Sequence, residues 1–130
     1  MRLLGDGGFY RPTGRMSLAE AVACVDAALA YARAQGIKEL LVNGILVTGF
    51  EPPSLSERYF FVEKWALTAR GALRVAMVVR PEMIDPEKFG VTVAFNRRLI
   101  ADVFVDEGAG VEWLDRRATA HRAARPYADT

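Results

Sequence analysis

The chain has 130 residues, of which 52% are hydrophobic and 25% are charged, and its 17 basic and 16 acidic side chains leave a formal charge of +1. This composition is typical of one globular domain that buries a core without disulfides or a structural metal. It argues against a basic nucleic-acid-binding surface, and no apolar run approaches the roughly 20 residues of a membrane span. The single cysteine, Cys24, indicates a reducing compartment. We therefore expect a cytoplasmic protein with no nucleic-acid or membrane partner.

The charge is concentrated at one end of the chain. Residues 116–130 hold four arginines and one aspartate, a net charge of +3, so that residues 1–115 keep 13 basic and 15 acidic side chains. We expect residues 1–115 to form a single domain. The basic Ala/Arg tail either extends the last helix or is disordered.

The first half of the chain changes from strand to helix and back. Two short apolar segments within residues 3–10, separated by glycines, predict a β-hairpin or a ragged edge strand. A helix should begin at Ser17, which forms a capping box with Glu20, and end at Gly36. Residues 37–43 then read as a strand buried on both faces, and residues 44–53 as a loop.

The second half repeats this alternation. A second helix should run from Ser54, with Glu57 completing another capping box, to Gly71. A strand is predicted over residues 73–79, and a third helix should start at Asp85-Pro86 and include residues 99 and 100. A short strand at 103–105 and a helix at 107–114 complete the order.

Strands that alternate with helices imply parallel pairing and right-handed crossovers. The predicted fold is a small α/β sandwich. Its central sheet is mixed but mostly parallel, with four or five strands and an antiparallel N-terminal edge, and about four helices cover it.

The order of elements and several short strings resemble the STAS superfamily, in its SpoIIAA-like branch, over residues 9–115. The strings are Gly14-Arg-Met-Ser-Leu18 before the first helix, Leu41-Val-Asn-Gly44 and Val47-Thr-Gly-Phe50 before the second, and Val103-Phe-Val-Asp106 with Val111-Glu-Trp-Leu114 near the end. The resemblance implies a non-enzymatic regulatory module that binds another protein.

In some relatives a serine at the start of the second helix is phosphorylated, within an Asp-Ser-Ser/Thr-Gly sequence. Here the matching stretch is Phe50-Glu-Pro-Pro-Ser-Leu-Ser56, which places a proline at the modified position and makes Ser54 and Ser56 displaced candidates. The usual aspartate at the strand end is replaced by Asn43.

The carboxyl ends of parallel strands, where helix N-termini point their amides outward, are the expected place for a ligand or partner. A phosphorylated serine or another anion at the start of the second helix would have Arg80 as a charge partner. The plainer interpretation is that Ser54 only caps its helix, while Asn43 and Thr48 satisfy loop amides. The candidate residues at this edge are Asn43, Thr48, Phe50, Ser54, Ser56 and Arg80.

The aromatic residues of the second helix are too numerous for one buried stripe. Phe61 and Trp65, one turn apart, either pack under the third helix or form an interface with a partner or second subunit. Cys24 and the single histidine, His121, are not placed for catalysis or metal binding.

We therefore expect no catalytic residue, metal or cofactor, and a role as a homodimeric protein-interaction module. The alternative is a carrier or sensor of a small anionic or apolar ligand, in a closed pocket lined by Phe50, Ser54 and Arg80.

Overall fold

The structure, a computed structural model, describes residues 2–4 and 7–123. Strands and helices alternate along most of this range. The strands are β1 (Arg2–Leu4), β2 (Gly7–Tyr10), β3 (Gly14–Arg15), β4 (Glu39–Asn43), β5 (Val47–Thr48), β6 (Arg74–Val78) and β7 (Ile100–Phe104). The helices are α1 (Leu18–Ala34), α2 (Leu55–Ala69), α3 (Phe89–Asn96) and α4 (Glu107–Ala123).

The central sheet has the strand order β1-β2-β4-β6-β7. β2, β4, β6 and β7 pair in parallel, and β1 pairs with β2 antiparallel at the N-terminal edge. The predicted α/β fold, with its mixed but mostly parallel sheet and four helices, is confirmed.

Both long N-terminal helices begin where the capping boxes predict. The Ser17 hydroxyl accepts from the Glu20 amide, and the Ser54 hydroxyl accepts from the Glu57 amide, each at 3.1 Å. The glutamate of each pair accepts from the serine amide at 2.9 Å, so that two otherwise unpaired helix donors are satisfied at each start.

The two faces of the sheet bury two separate clusters. On β4, Leu40 and Val42 contact the cluster beneath α1, α2 and α3, while Leu41 between them belongs to the cluster beneath α4. Since alternate strand residues point to opposite faces, the consecutive apolar residues of β4 are explained by helices on both sides.

The third helix differs from the prediction at both ends. α3 begins at Phe89 rather than Asp85, because Lys88 adopts a left-handed conformation (φ 52°) that a continuous helix does not allow. Asp85 lies outside the helix, but its carboxylate accepts from the Phe89 amide, the first of α3, at 2.8 Å. Arg98, with φ 67°, ends the helical segment, so that Ile100 starts β7 and is not helical.

Two further segments complete the comparison with the predictions. The stretch predicted as loop contains β5, which pairs in parallel with β3 to form a separate two-stranded sheet. α4 continues to Ala123, as in the helix-extension alternative for the tail. Residues 124–130 lie outside the described residues. Within the described range, no helix is long and apolar enough to cross a membrane.

Candidate functional site

Asn43 lies at the carboxyl end of β4, as predicted, and both ends of its amide are used by the protein. Its Nδ2 donates to Glu107 Oε2 at 2.8 Å, and its Oδ1 accepts from the Ile45 amide at 3.0 Å. The side chain therefore joins the first residue of α4 to the loop that leads into β5. Asn43 thus satisfies a loop amide, the plainer interpretation given above, and its amide group is engaged within the protein.

Arg80, after β6, supports the same loop from the other side. Its Nη1 donates to the carbonyl oxygens of Ile45 at 3.0 Å and Val47 at 2.7 Å, and its Nε donates to Glu82 at 3.1 Å. Charged hydrogen bonds of this kind hold loop carbonyls firmly. Arg80 thus positions β5: its Nη1 is engaged by the two loop carbonyls and its Nε by Glu82.

Glu107 has the most strongly shifted pKa among the acidic residues in the described part of the chain. Arg11 donates to both of its carboxylate oxygens, at 2.6 Å and 2.8 Å. The hydrogen bonds from Arg11, and then from Asn43, lower the pKa of Glu107 from 4.5 to about 2. The ion pair connects the segment after β2 to the start of α4.

This depressed pKa predicts a defined acid sensitivity. The carboxylate contributes its full stability above pH 4.5 and loses it as the pH falls toward 2. Because the pair is partly solvated, we expect Glu107→Gln to lower the free energy of unfolding by only about 1–2 kcal/mol at pH 7. Urea denaturation at pH 7, 4 and 3 should show the difference from wild type shrinking with acidity.

Glu112→Gln on the same helix is the matched control. Glu112 pairs with Arg116 one turn away at 2.6 Å, and both side chains are largely exposed. We expect a change of less than about 0.5 kcal/mol at every pH. An equal effect of the two substitutions would contradict the role given to the Arg11–Glu107 pair.

The remaining strand-end candidates do not converge on one point. Ser54 serves as the N-cap of α2, and Thr48 and Ser56 are exposed. Phe50 and Arg80 line a cavity, but Ser54 does not. The structure therefore brings together only part of the set that the sequence indicated.

That cavity lies between the sheet and the three helices α1, α2 and α3, and its volume is about 170 Å³. Its floor consists of alternate residues of β6 and β7, which point to the same face of the sheet. Its walls are almost entirely apolar. They include Val22, Val25 and Leu29 of α1, Phe61, Val62 and Trp65 of α2, Val91 and Ala94 of α3, and Val75, Met77, Ala101 and Val103 of the sheet.

Phe61 and Trp65 face this cavity from α2. Their rings lie 4.7 Å apart, and the indole Nε1 of Trp65 donates to the Val22 carbonyl of α1 at 3.1 Å. Both side chains are half-buried and pack against the core cluster of this face. Trp65 thus links α2 to α1 by a hydrogen bond. The most exposed aromatic residue of α2 is instead Phe60.

Methionine and small residues form a part of the wall that the sequence reasoning missed. Of the four methionines in the chain, Met16, Met77 and Met83 line the cavity, together with Ala101 and Gly90. Flexible thioether side chains adapt to differently shaped ligands, and small residues leave the space in which a ligand fits. No local signal marks them, because Met16, Met77 and Met83 come from three separate segments of the chain.

Cys24 and Tyr10 are further nucleophilic and titratable groups near the cavity. Cys24 lines the cavity from α1 and lies beside Tyr10, whose pKa is raised by burial and then by the neighbouring thiol. In the range the structure describes, no group of three or more histidine, cysteine or acidic residues is placed to hold a metal ion. The side chain of His121 is outside the described part of the chain.

The fold and the site together define an α/β domain with an apolar cavity beneath three helices. At the strand ends, Asn43 and Arg80 hold the loop of residues 44–50 by hydrogen bonds, and we call this loop the loop platform. Compared with family models, with curated proteins and with solved structures, the chain gives no match.

Proposed function

We propose that this protein binds a small, predominantly apolar molecule in the cavity beneath α1, α2 and α3, as a non-enzymatic carrier or sensor. The observation that carries the proposal is the cavity itself. At about 170 Å³ it is far larger than the packing voids normal for a domain of this size. An engineered apolar cavity of about 150 Å³ in another protein stays dry and binds benzene.

The lining supports an apolar ligand rather than a polar one. Valine, leucine, methionine and aromatic side chains dominate the walls, and such surfaces gain about 25 cal/mol for each Å² removed from water. The volume accommodates about six to eight carbon atoms, by comparison with a benzene-sized cavity. Binding would stabilise the folded state by an amount that, above the Kd, grows with the logarithm of the ligand concentration.

Trp65 gives a direct readout for this proposal. The chain has two tryptophans, and they lie on opposite faces of the sheet: Trp65 lines the cavity, whereas Trp113 belongs to the cluster beneath α4. In Trp113→Phe, titration with 1-octanol should change the fluorescence of Trp65. In Trp65→Phe, the same titration should leave the emission of Trp113 unchanged.

Ala101→Ile should block the site. Ala101 lines the cavity from β7, where a β-branched side chain suits the strand and extends into available space. We expect the affinity for 1-octanol to fall at least about tenfold, a loss of about 1.4 kcal/mol, with unfolding stability maintained. Both are measured by calorimetric titration and urea denaturation.

Ala72→Ile provides the control, because Ala72 is exposed and does not line the cavity. It should leave octanol binding within a factor of about two. If wild-type protein shows no saturable binding of octanol or of any other apolar probe of that size, the ligand-binding proposal is wrong.

The second candidate is a STAS-like protein-interaction module, acting in the cytoplasm as a homodimer. A specific observation favours it: Phe60 and Leu67, two turns apart on α2, are 68% and 71% exposed, and exposed apolar groups of this kind are typical of partner-binding surfaces. Since α2 also lines the cavity, a ligand could influence this outer face. Light scattering tests the dimer, and a monomer at all concentrations would remove it.

A further inference from the structure

We propose that the natural ligand of the cavity carries a carboxylate or an equivalent single negative charge, which binds to Arg58. This inference rests on the proposed function and adds the chemical class of the ligand. It starts from the few charged residues among the apolar walls. These are Arg58, Arg80, Asp85, Lys88 and Asp102.

Four of these five have their charges engaged by the protein. Lys88 and Asp102 form an ion pair at 2.9 Å. Arg80 donates to Glu82 and to two loop carbonyls. The carboxylate of Asp85 accepts from the amide that begins α3, where the positive end of the helix dipole also favours it.

Arg58 is different. Its Nε donates to the Pro53 carbonyl at 3.2 Å, which orients the guanidinium at the first turn of α2. Its two terminal nitrogens have no acceptor in the part of the chain that the structure describes, and the side chain is half-buried. A guanidinium presents a planar pair of donors that matches a carboxylate in two hydrogen bonds.

The position of Arg58 along α2 also fits an apolar chain with a charged head. Phe61, Val62 and Trp65, which line the cavity, follow Arg58 at spacings of three, four and seven residues and so share its side of the helix. The axial distance from Arg58 to Trp65 is about 10 Å at 1.5 Å per residue. A carboxylate bound at Arg58 therefore directs a chain of about eight carbons along these side chains.

The test compares octanoate with 1-octanol, which share a chain length and differ in charge. Wild-type protein should bind octanoate at least about tenfold more tightly, as expected for a partly buried charged hydrogen bond. Arg58→Gln should reduce octanoate affinity about tenfold and leave octanol affinity within about twofold. Arg58→Lys, which keeps the charge but not the paired geometry, should fall between them.

Lys64→Gln is the matched control, since it removes one positive charge from the same helix at an exposed residue that does not line the cavity. It should leave both affinities unchanged, and circular dichroism should verify the fold of each variant. Octanol binding with no preference for octanoate, or an octanoate preference that survives Arg58→Gln, would overturn this inference while the proposed function stands. Failure of both probes to bind would overturn both.

Discussion

Gly49→Ala should lower the free energy of unfolding by about 3 kcal/mol or more. Gly49 has φ of 113°, a conformation that other residues rarely adopt. An added Cβ would also overlap the backbone carbonyl oxygen and amide nitrogen of Met16. Backbone atoms cannot move aside as a flexible side chain does, so the strand β3 and the loop after β5 would have to separate.

Gly14→Ala separates the cost of the backbone conformation from the cost of the clash with Met16. Gly14 has a similar φ of 117°, but a Cβ there would meet nothing within 4 Å. Its cost should be that of the backbone conformation alone, about 1–2 kcal/mol. Urea denaturation of the two variants gives the difference, which measures the clash. Equal losses would show that the close approach of Gly49 to Met16 is not required.

The Gly49 substitution should also weaken ligand binding, because the displaced segments form part of the cavity wall. Met16 follows β3 and Phe50 follows Gly49, and both line the cavity. Gly14→Ala should leave binding close to wild type. A stability loss without any loss of octanol affinity would mean that the loop platform and the cavity are independent.

Trp113→Ala should cost about 3–5 kcal/mol of unfolding free energy, the range for truncation of a buried aromatic side chain. Trp113 is 8% exposed and lies with its ring 5.8 Å from that of Phe104. α4 is the helix that covers this face of the sheet, over Leu41, Ala76 and Val78. A loss of this size is a large fraction of the total stability of a small domain.

Two variants bracket this result. Trp113→Phe retains an aromatic ring and should cost about 1–2 kcal/mol, whereas Leu67→Ala, at an exposed position of α2, should cost less than about 0.5 kcal/mol. Thermal and urea unfolding provide the measurements. If Trp113→Ala costs less than 1 kcal/mol, α4 is not an integral part of the domain and the second face of the sheet does not depend on it.

Helix α2 connects the proposed site to the rest of the molecule. It presents Trp65 to the cavity, carries Arg58 at its first turn and exposes Phe60 on another side. It also contacts α1 through the Trp65 indole and through a hydrogen bond from Thr68 to Asp26 at 2.5 Å. Helix α2 therefore contacts the ligand in the cavity and also carries the exposed surface proposed for a partner, so a shift of α2 on ligand binding would reach that surface.

The strand-end network has a supporting role in this scheme. Asn43 and Arg80 were candidates for contacts with an anion or partner, or for a structural role. In the folded chain, Asn43 binds Glu107 at the start of α4, and Arg80 binds the carbonyls of the β5 loop. The charged group left available lies instead on α2. Sequence alone did not show which arginine is engaged by the protein and which is available to a ligand. Arg80 follows a strand and Arg58 lies at the start of a helix, and either place suits both roles.

Elements with local sequence signals could be predicted before the fold was known. Capping boxes at Ser17 and Ser54 indicated two helix starts, and the consecutive apolar residues of β4 indicated a strand buried on both faces. These signals act between residues within one turn or along one strand. The α/β class and the mixed, mostly parallel sheet followed from their order.

Features that depend on residues far apart in the sequence could not be predicted in this way and are visible only in the folded chain. β5 exists because it pairs with β3, some thirty residues earlier in the chain, and α3 starts late because Lys88 is left-handed between a capping turn and the packed helix. The cavity is likewise the space left where three helices and one sheet face meet. Its size depends on how these surfaces pack against each other, and no local pattern of residues specifies that packing.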